Sequence, residues 1–165
     1  MADDFMSAIL GAKASKNRPR FVPGKFNVKV TKIERFDSTQ NVGVKDFVFE
    51  GEVVDYVPQE GSSPDAFSKG SSVGQVWVSN VKAHPSNIQD FLVGLYKAFA
   101  VENGLDPNEI TAESLTPARY NAVVGPKSIA VEKGLILGVE VRLQEKKGTP
   151  GEFFNRLYWG PKFDL

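Results

Sequence analysis

Apolar and polar residues alternate with a period of two over Lys25–Ile33, where Phe26, Val28 and Val30 interleave with Asn27, Lys29 and Thr31. That spacing predicts a strand with one buried and one wet face. A second run, Lys45–Val54, puts Phe47, Phe49 and Val53 on one face, and Gly51 interrupts it where a bulge or bend is tolerated. The polar stretch Phe36–Gly43 reads as the turn between them. After a loop rich in Ser, Gly and Pro (Pro58–Ser72), a third strand is predicted over Val73–Asn80, with Val76 and Val78 pointing one way and Gln75, Trp77 and Ser79 the other. The period then changes. Ile88, Phe91, Leu92, Leu95 and Phe99 keep helical spacing, Ser86 and Gln89 form a capping box, and Gly104 supplies the stop. Asp106-Pro107 and Thr116-Pro117 each pair a cap with a proline at the first helical position, predicting two further short helices. Two last strands follow. Leu135–Leu143 sets Leu137, Val139, Val141 and Leu143 on one face, and Phe153–Trp159 closes the chain after a charged, glycine-containing turn.

Three strands, a helical insert and two strands is the order of the oligonucleotide/oligosaccharide-binding (OB) fold. A sandwich needs more strands, and a parallel sheet needs a helix after each one. The expectation is a mainly β protein: a five-stranded OB-fold barrel with a helical insert between strands 3 and 4. Residues 1–23 read as an N-terminal arm and 24–165 as the OB-fold domain, with the insert at about 86–124. In the arm, Phe5, Ile9 and Ala12 suit a short helix. Lys13–Arg20 is basic and extended, because Pro19 and Pro23 forbid helix there.

Composition narrows the chemistry. The 165 residues carry no net charge and no cysteine, which excludes disulfides, thiolate metal sites and cysteine nucleophiles. No apolar run approaches a membrane span, and Asp3 and Asp4 stand where a signal peptide is basic, so the expectation is a soluble cytoplasmic protein without membrane contact. The neutral total hides segregation. Nine lysines and arginines face two acids between Lys13 and Lys45, whereas three lysines face eleven acids between Asp46 and Glu113. Such asymmetry is a signature of a polyanion-binding face.

Catalytic signals are poor. Gly24-Lys25 has Pro19 where a phosphate-binding loop needs its first glycine, and Phe26 where it needs a hydroxyl. His84, the single histidine, precedes Pro85 and suits a helix-entry role. Asp46, Glu50 and Glu52 share a strand face, and Asp65 with Glu145-Lys146-Lys147 resembles a metal-nuclease set, but loop tips position catalytic groups poorly. No enzyme activity, metal or cofactor is expected. Binding signals are better, since a reader of single strands needs cations for phosphates and exposed aromatic faces for bases. With Phe26, Phe47, Val76 and Leu137 inside, the outward set includes Lys25, Lys29, Trp77, Arg142, Phe154, Arg156 and Tyr158. Lys32, Arg35 and Phe36 join it from the first loop, and Lys69 from the loop before the third strand. Trp77 is the leading stacking candidate, whereas Leu157 and Trp159 share a face suited to the core.

Lys25–Ile33, Asp46–Val54, Val76-Trp-Val78, Phe91–Tyr96, Gly138–Arg142 and Arg156–Trp159 together resemble the bacteriophage single-stranded DNA-binding proteins with an OB-fold, over roughly residues 20–162. The resemblance implies sequence-independent coating of single-stranded DNA in replication or recombination, in the host cytoplasm. It also implies self-association and partners among replication or recombination proteins. Such proteins frequently end in an acidic tail, whereas this chain ends Lys162-Phe-Asp-Leu165. The alternative is a structural or protein-interaction module that self-assembles through the N-terminal arm.

Overall fold

A computed structural model describes residues 21–37, 45–59, 72–79 and 85–165. The arm up to Arg20 lies outside the described residues, as do Asp65, Lys69 and His84, and so do the side chains of Phe36, Asp46, Val76 and Trp77. Five strands are formed: β1 (Gly24–Asp37), β2 (Lys45–Pro58), β3 (Ser72–Ser79), β4 (Ile136–Glu145) and β5 (Phe153–Pro161). They make one antiparallel sheet in the order β3-β2-β1-β4-β5, and the described residues do not close it. The protein is mainly β, and the helices among the described residues lie between β3 and β4, as the order of elements predicts.

β1 is the central strand, pairing with β2 along its whole length and with β4 over Gly24–Lys29. Phe26, Val28 and Val30 are buried on its inner side, facing the same core as Leu137, Val139 and Val141 of β4. Two irregularities bend the β1–β2 ladder. One leaves Val54 without a partner, and the other leaves Thr31 extra between Val30↔Gly51 and Lys32↔Glu50. Gly51 is needed there because a Cβ would stand 2.1 Å from Val28 Cγ1 and 2.9 Å from the Lys29 carbonyl oxygen. The bulge expected near Gly51 is thus on the facing strand. Past Thr31 the inward positions of β1 change from even to odd numbers, so Ile33 is buried and Arg35 follows it on the inner face.

The inner face is covered by α1 (Pro85–Glu102). Phe91, Leu92, Leu95, Ala98 and Phe99 recur at helical spacing and are all buried. The helix starts at Pro85, which needs no donor in a first turn. At its end Gly104 takes φ +71° and lets Leu105 N–H reach the Ala100 carbonyl at 2.7 Å. The two cap–proline pairs form as expected. Asp106 accepts from Asn108 N–H (2.9 Å) over the 3-10 turn Pro107–Glu109, and Thr116 accepts from Arg119 N–H (3.2 Å) to start α2 (Pro117–Val123). Another 3-10 turn (Ala112–Ser114) and a short α3 (Ile129–Glu132), which the pattern does not predict, complete the insert.

The sheet is strongly curled around this helix. In a flat sheet β2 and β5 stand three strands apart, about 14 Å. Yet the rings of Phe49 on β2 and Trp159 on β5 are 5.3 Å apart between centroids. Phe91 of α1 touches both, 5.2 Å from Phe49 and 4.8 Å from Trp159. Phe21, just ahead of β1, meets Phe26, Phe49 and Trp159 from the other side. Curl, helix and aromatic cluster are one packing arrangement.

Candidate functional site

The outer face of the sheet, away from α1, separates the sequence candidates into distinct groups. Lys25, Arg142, Arg156 and Tyr158 come together on β1, β4 and β5. Pairing sets Lys25 opposite Glu140 and Glu140 opposite Tyr158, with Arg142 opposite Arg156 in the next row and Gln144 opposite Phe154 beyond it. The alternation that buries Leu137, Val139 and Val141 turns Glu140, Arg142 and Gln144 outward.

Tyr158 is the centre of this group. The residue is 40% exposed, and its ring lies within cation–π reach of two guanidiniums, with Cζ of Arg142 at 4.7 Å and Cζ of Arg156 at 5.4 Å from its centroid. Like charges directly opposite each other on a sheet repel. Here the aromatic face, Glu140 and Gln144 offset that repulsion. Glu140 accepts two hydrogen bonds from Arg142, at 2.9 and 3.1 Å, and Arg156 reaches Gln144 Oε1 at 3.5 Å. The hydrogen bond from Arg142 holds the Glu140 carboxyl below its ordinary pKa, and the charges of Arg142 and Lys25 act in the same direction. Three cations therefore stand around one carboxylate and an open aromatic ring. Phe154 extends the row toward the β4–β5 turn and is 39% exposed. That turn is tied by Glu145, which accepts from Gly151 N–H at 3.1 Å, so its role in the fold is structural.

Lys29 and Lys32 are elsewhere. Lys29 pairs with Glu52 and Lys32 with Glu50, and Lys32 also approaches Glu34 at 3.8 Å. Their stretch of the outer face is charge-balanced, so the excess positive charge lies over β4 and β5. Arg35 is not in the first loop but within β1, and because of the extra Thr31 it lies on the inner side opposite Phe47. It borders an open cleft of about 450 Å³ with Phe47, Ile88, Leu92, Leu115 and Tyr120.

β3 pairs antiparallel with β2 along its whole length. Its register pairs Gln75 with Phe49 and Trp77 with Phe47, and Val76 with Val48. Val73 is buried, and the side chains of the positions that follow it on β3, Trp77 among them, lie outside the described residues. Leu143 also departs from expectation, being exposed because the β4–β5 hairpin extends past the cover of α1.

Sequence reasoning missed Glu140, Asn27 and Phe163. Asn27 lies in an outward row yet is 4% exposed, because the C-terminal segment crosses it. Its amide donates to the Phe163 carbonyl at 2.8 Å and accepts from Phe163 N–H at 2.7 Å. Its position among alternating lysines was visible, but its covering segment was not. Among the described residues no three His, Asp or Glu side chains are gathered as a metal site needs, and no helix is long and apolar enough to cross a membrane. No family model matches the chain, and no curated protein matches it either.

Proposed function

We propose that the protein binds single-stranded DNA without sequence preference, coating and protecting it in replication or recombination, through an OB-type barrel whose outer face carries the strand. The observation that carries this reading is the Arg142–Tyr158–Arg156 group. An exposed ring with two cations beside it offers a base a stacking face and offers the neighbouring phosphates their counter-charges. Stacking tolerates every base, because each has a π-face, so such a surface gives affinity without sequence readout. The strand order, the placement of the helix between β3 and β4 and the curl that brings β2 and β5 side chains together support the barrel. In that architecture the loop joining strands 4 and 5 helps to hold the nucleic acid, and here the row Tyr158, Arg156, Phe154 runs toward that loop. In this reading Lys25 meets phosphate beside Tyr158, and Lys29 and Lys32 contribute less because of their acidic neighbours. The protein performs no reaction on the strand.

Labelled oligothymidine and a duplex of the same length, titrated separately with the protein at low salt, test the reading. Binding of the single strand well ahead of the duplex is expected. Equal binding of both, or binding of neither, contradicts it.

A further inference from the structure

We propose that Phe163, near the C-terminus, is a second base-stacking residue on the outer face, held in position by Asn27; this rests on the single-strand reading above. Asn27 is committed to one task. Both functions of its side-chain amide are used by the main chain of Phe163, at 2.8 and 2.7 Å, as one peptide unit pairs with another in a sheet. The neighbouring strand is shaped for the same segment. Asn27 pairs with Gly138, where a Cβ would stand 2.1 Å from the Pro161 carbonyl oxygen and 3.3 Å from Lys162 Cα. The last residues therefore lie directly on β1 and β4, and they do so on the face that carries Arg142 and Tyr158.

What this brings to the surface is a ring beside a cation. Lys25 Nζ is 5.4 Å from the Phe163 centroid, and Lys25 is joined through Glu140 to Tyr158 in one transverse row of the sheet. Two aromatic rings thus flank a lysine, one over β1 and one on β5, two strands or about 10 Å apart. That separation fits within the several nucleotides that a fold of this kind covers. A ring whose main chain is already fixed loses little freedom when a base stacks on it. Phe163 is half-buried, neither closed into the core nor fully exposed.

The test is oligothymidine affinity of the full-length wild type, Tyr158→Ala, Phe163→Ala and Asn27→Ala, with melting curves as a check of folding. Phe163→Ala is expected to weaken binding by about 5- to 150-fold, the range of one lost base stack, with little change in salt dependence. Asn27→Ala is expected to weaken it in the same direction, because the ring is no longer held. Phe163→Trp is expected to keep affinity and to show an added fluorescence that the oligonucleotide quenches. This variant decides the matter if Phe163→Ala proves poorly folded. Unchanged or tighter binding by Phe163→Ala, with Tyr158→Ala weakened, overturns the inference and makes the segment a cover or a tie. If the added fluorescence of a binding-competent Phe163→Trp variant is not quenched, the inference is overturned in the same way. If the wild type does not bind oligothymidine at all, the single-strand reading fails and this inference falls with it.

Discussion

Tyr158 stands beside two guanidiniums that strand pairing sets opposite one another, and Glu140 is the carboxylate hydrogen-bonded within that group. Glu140→Gln removes the charge that neutralises Arg142 and Lys25. Affinity for oligothymidine should rise at low salt and fall more steeply as salt is added; unchanged affinity and slope would place the strand elsewhere. The same pair has a pH signature. A glutamate whose folded pKa is depressed contributes stability above its unfolded pKa, and this is lost as pH falls through the lowered value. The melting temperatures of wild type and Glu140→Gln should therefore differ most at neutral pH and converge in acid. At this scale alternation made Lys25, Arg142, Arg156 and Tyr158 legible, because each has a clearly apolar neighbour along its own strand, such as Phe26, Val141 or Leu157. Arg35 was not legible, since one extra residue at Thr31 moves it to the inner face. Phe163 was hidden for a different reason: a lone aromatic in a short terminal segment has no period, and its anchor lies 136 positions away in the chain.

Among elements, the packing of α1 on β5 sets the curl. Gly94 permits it, since a Cβ at that position would lie 2.5 Å from the Cβ, carbonyl carbon and oxygen of Trp159. The helix itself continues regularly through Gly94, so it is close approach rather than backbone conformation that requires glycine. Gly94→Ala should cost about 1–3 kcal/mol of stability, as overpacking does, read as a lowered melting temperature. An unshifted melt would mean that the helix does not seat on β5. The helix and the frames of β2, β4 and β5 follow from period alone, and that of β1 does so up to Thr31, because their apolar positions agree with each other. β3 does not, since Val73 argues for one frame and Val76 with Val78 for the other. The ladder with β2 fixes which residues of β3 pair, and a slip of one residue would exchange every side chain between faces. The exposure of Leu143 was equally out of reach of the pattern, which shows that a residue is apolar but not how far the covering helix extends.

For the molecule as a whole, the clustering of charge in space is more informative than its clustering in sequence. The basic N-terminal third suggested β1 as the cationic element, but β2 answers Lys29 and Lys32 with Glu52 and Glu50, and Glu34 of β1 itself lies near Lys32. The face left positive is built from strands distant in the chain, with Lys25 joined to Arg142 and Arg156 by the β1–β4–β5 pairings. A surface of this design separates two contributions that salt can distinguish. Removing one cation that meets a phosphate should flatten the dependence of log affinity on log salt by about 0.7, whereas removing a stacking ring lowers affinity by about 1–3 kcal/mol with the slope nearly intact. The most direct measurement is the salt dependence of oligothymidine binding, by fluorescence anisotropy, for wild type, Tyr158→Ala and Arg156→Ala. Steeply salt-sensitive binding is expected for the wild type, with a parallel but weaker line for Tyr158→Ala and a flatter line for Arg156→Ala. Three coincident lines, or no binding at low salt, would contradict single-strand binding at this face.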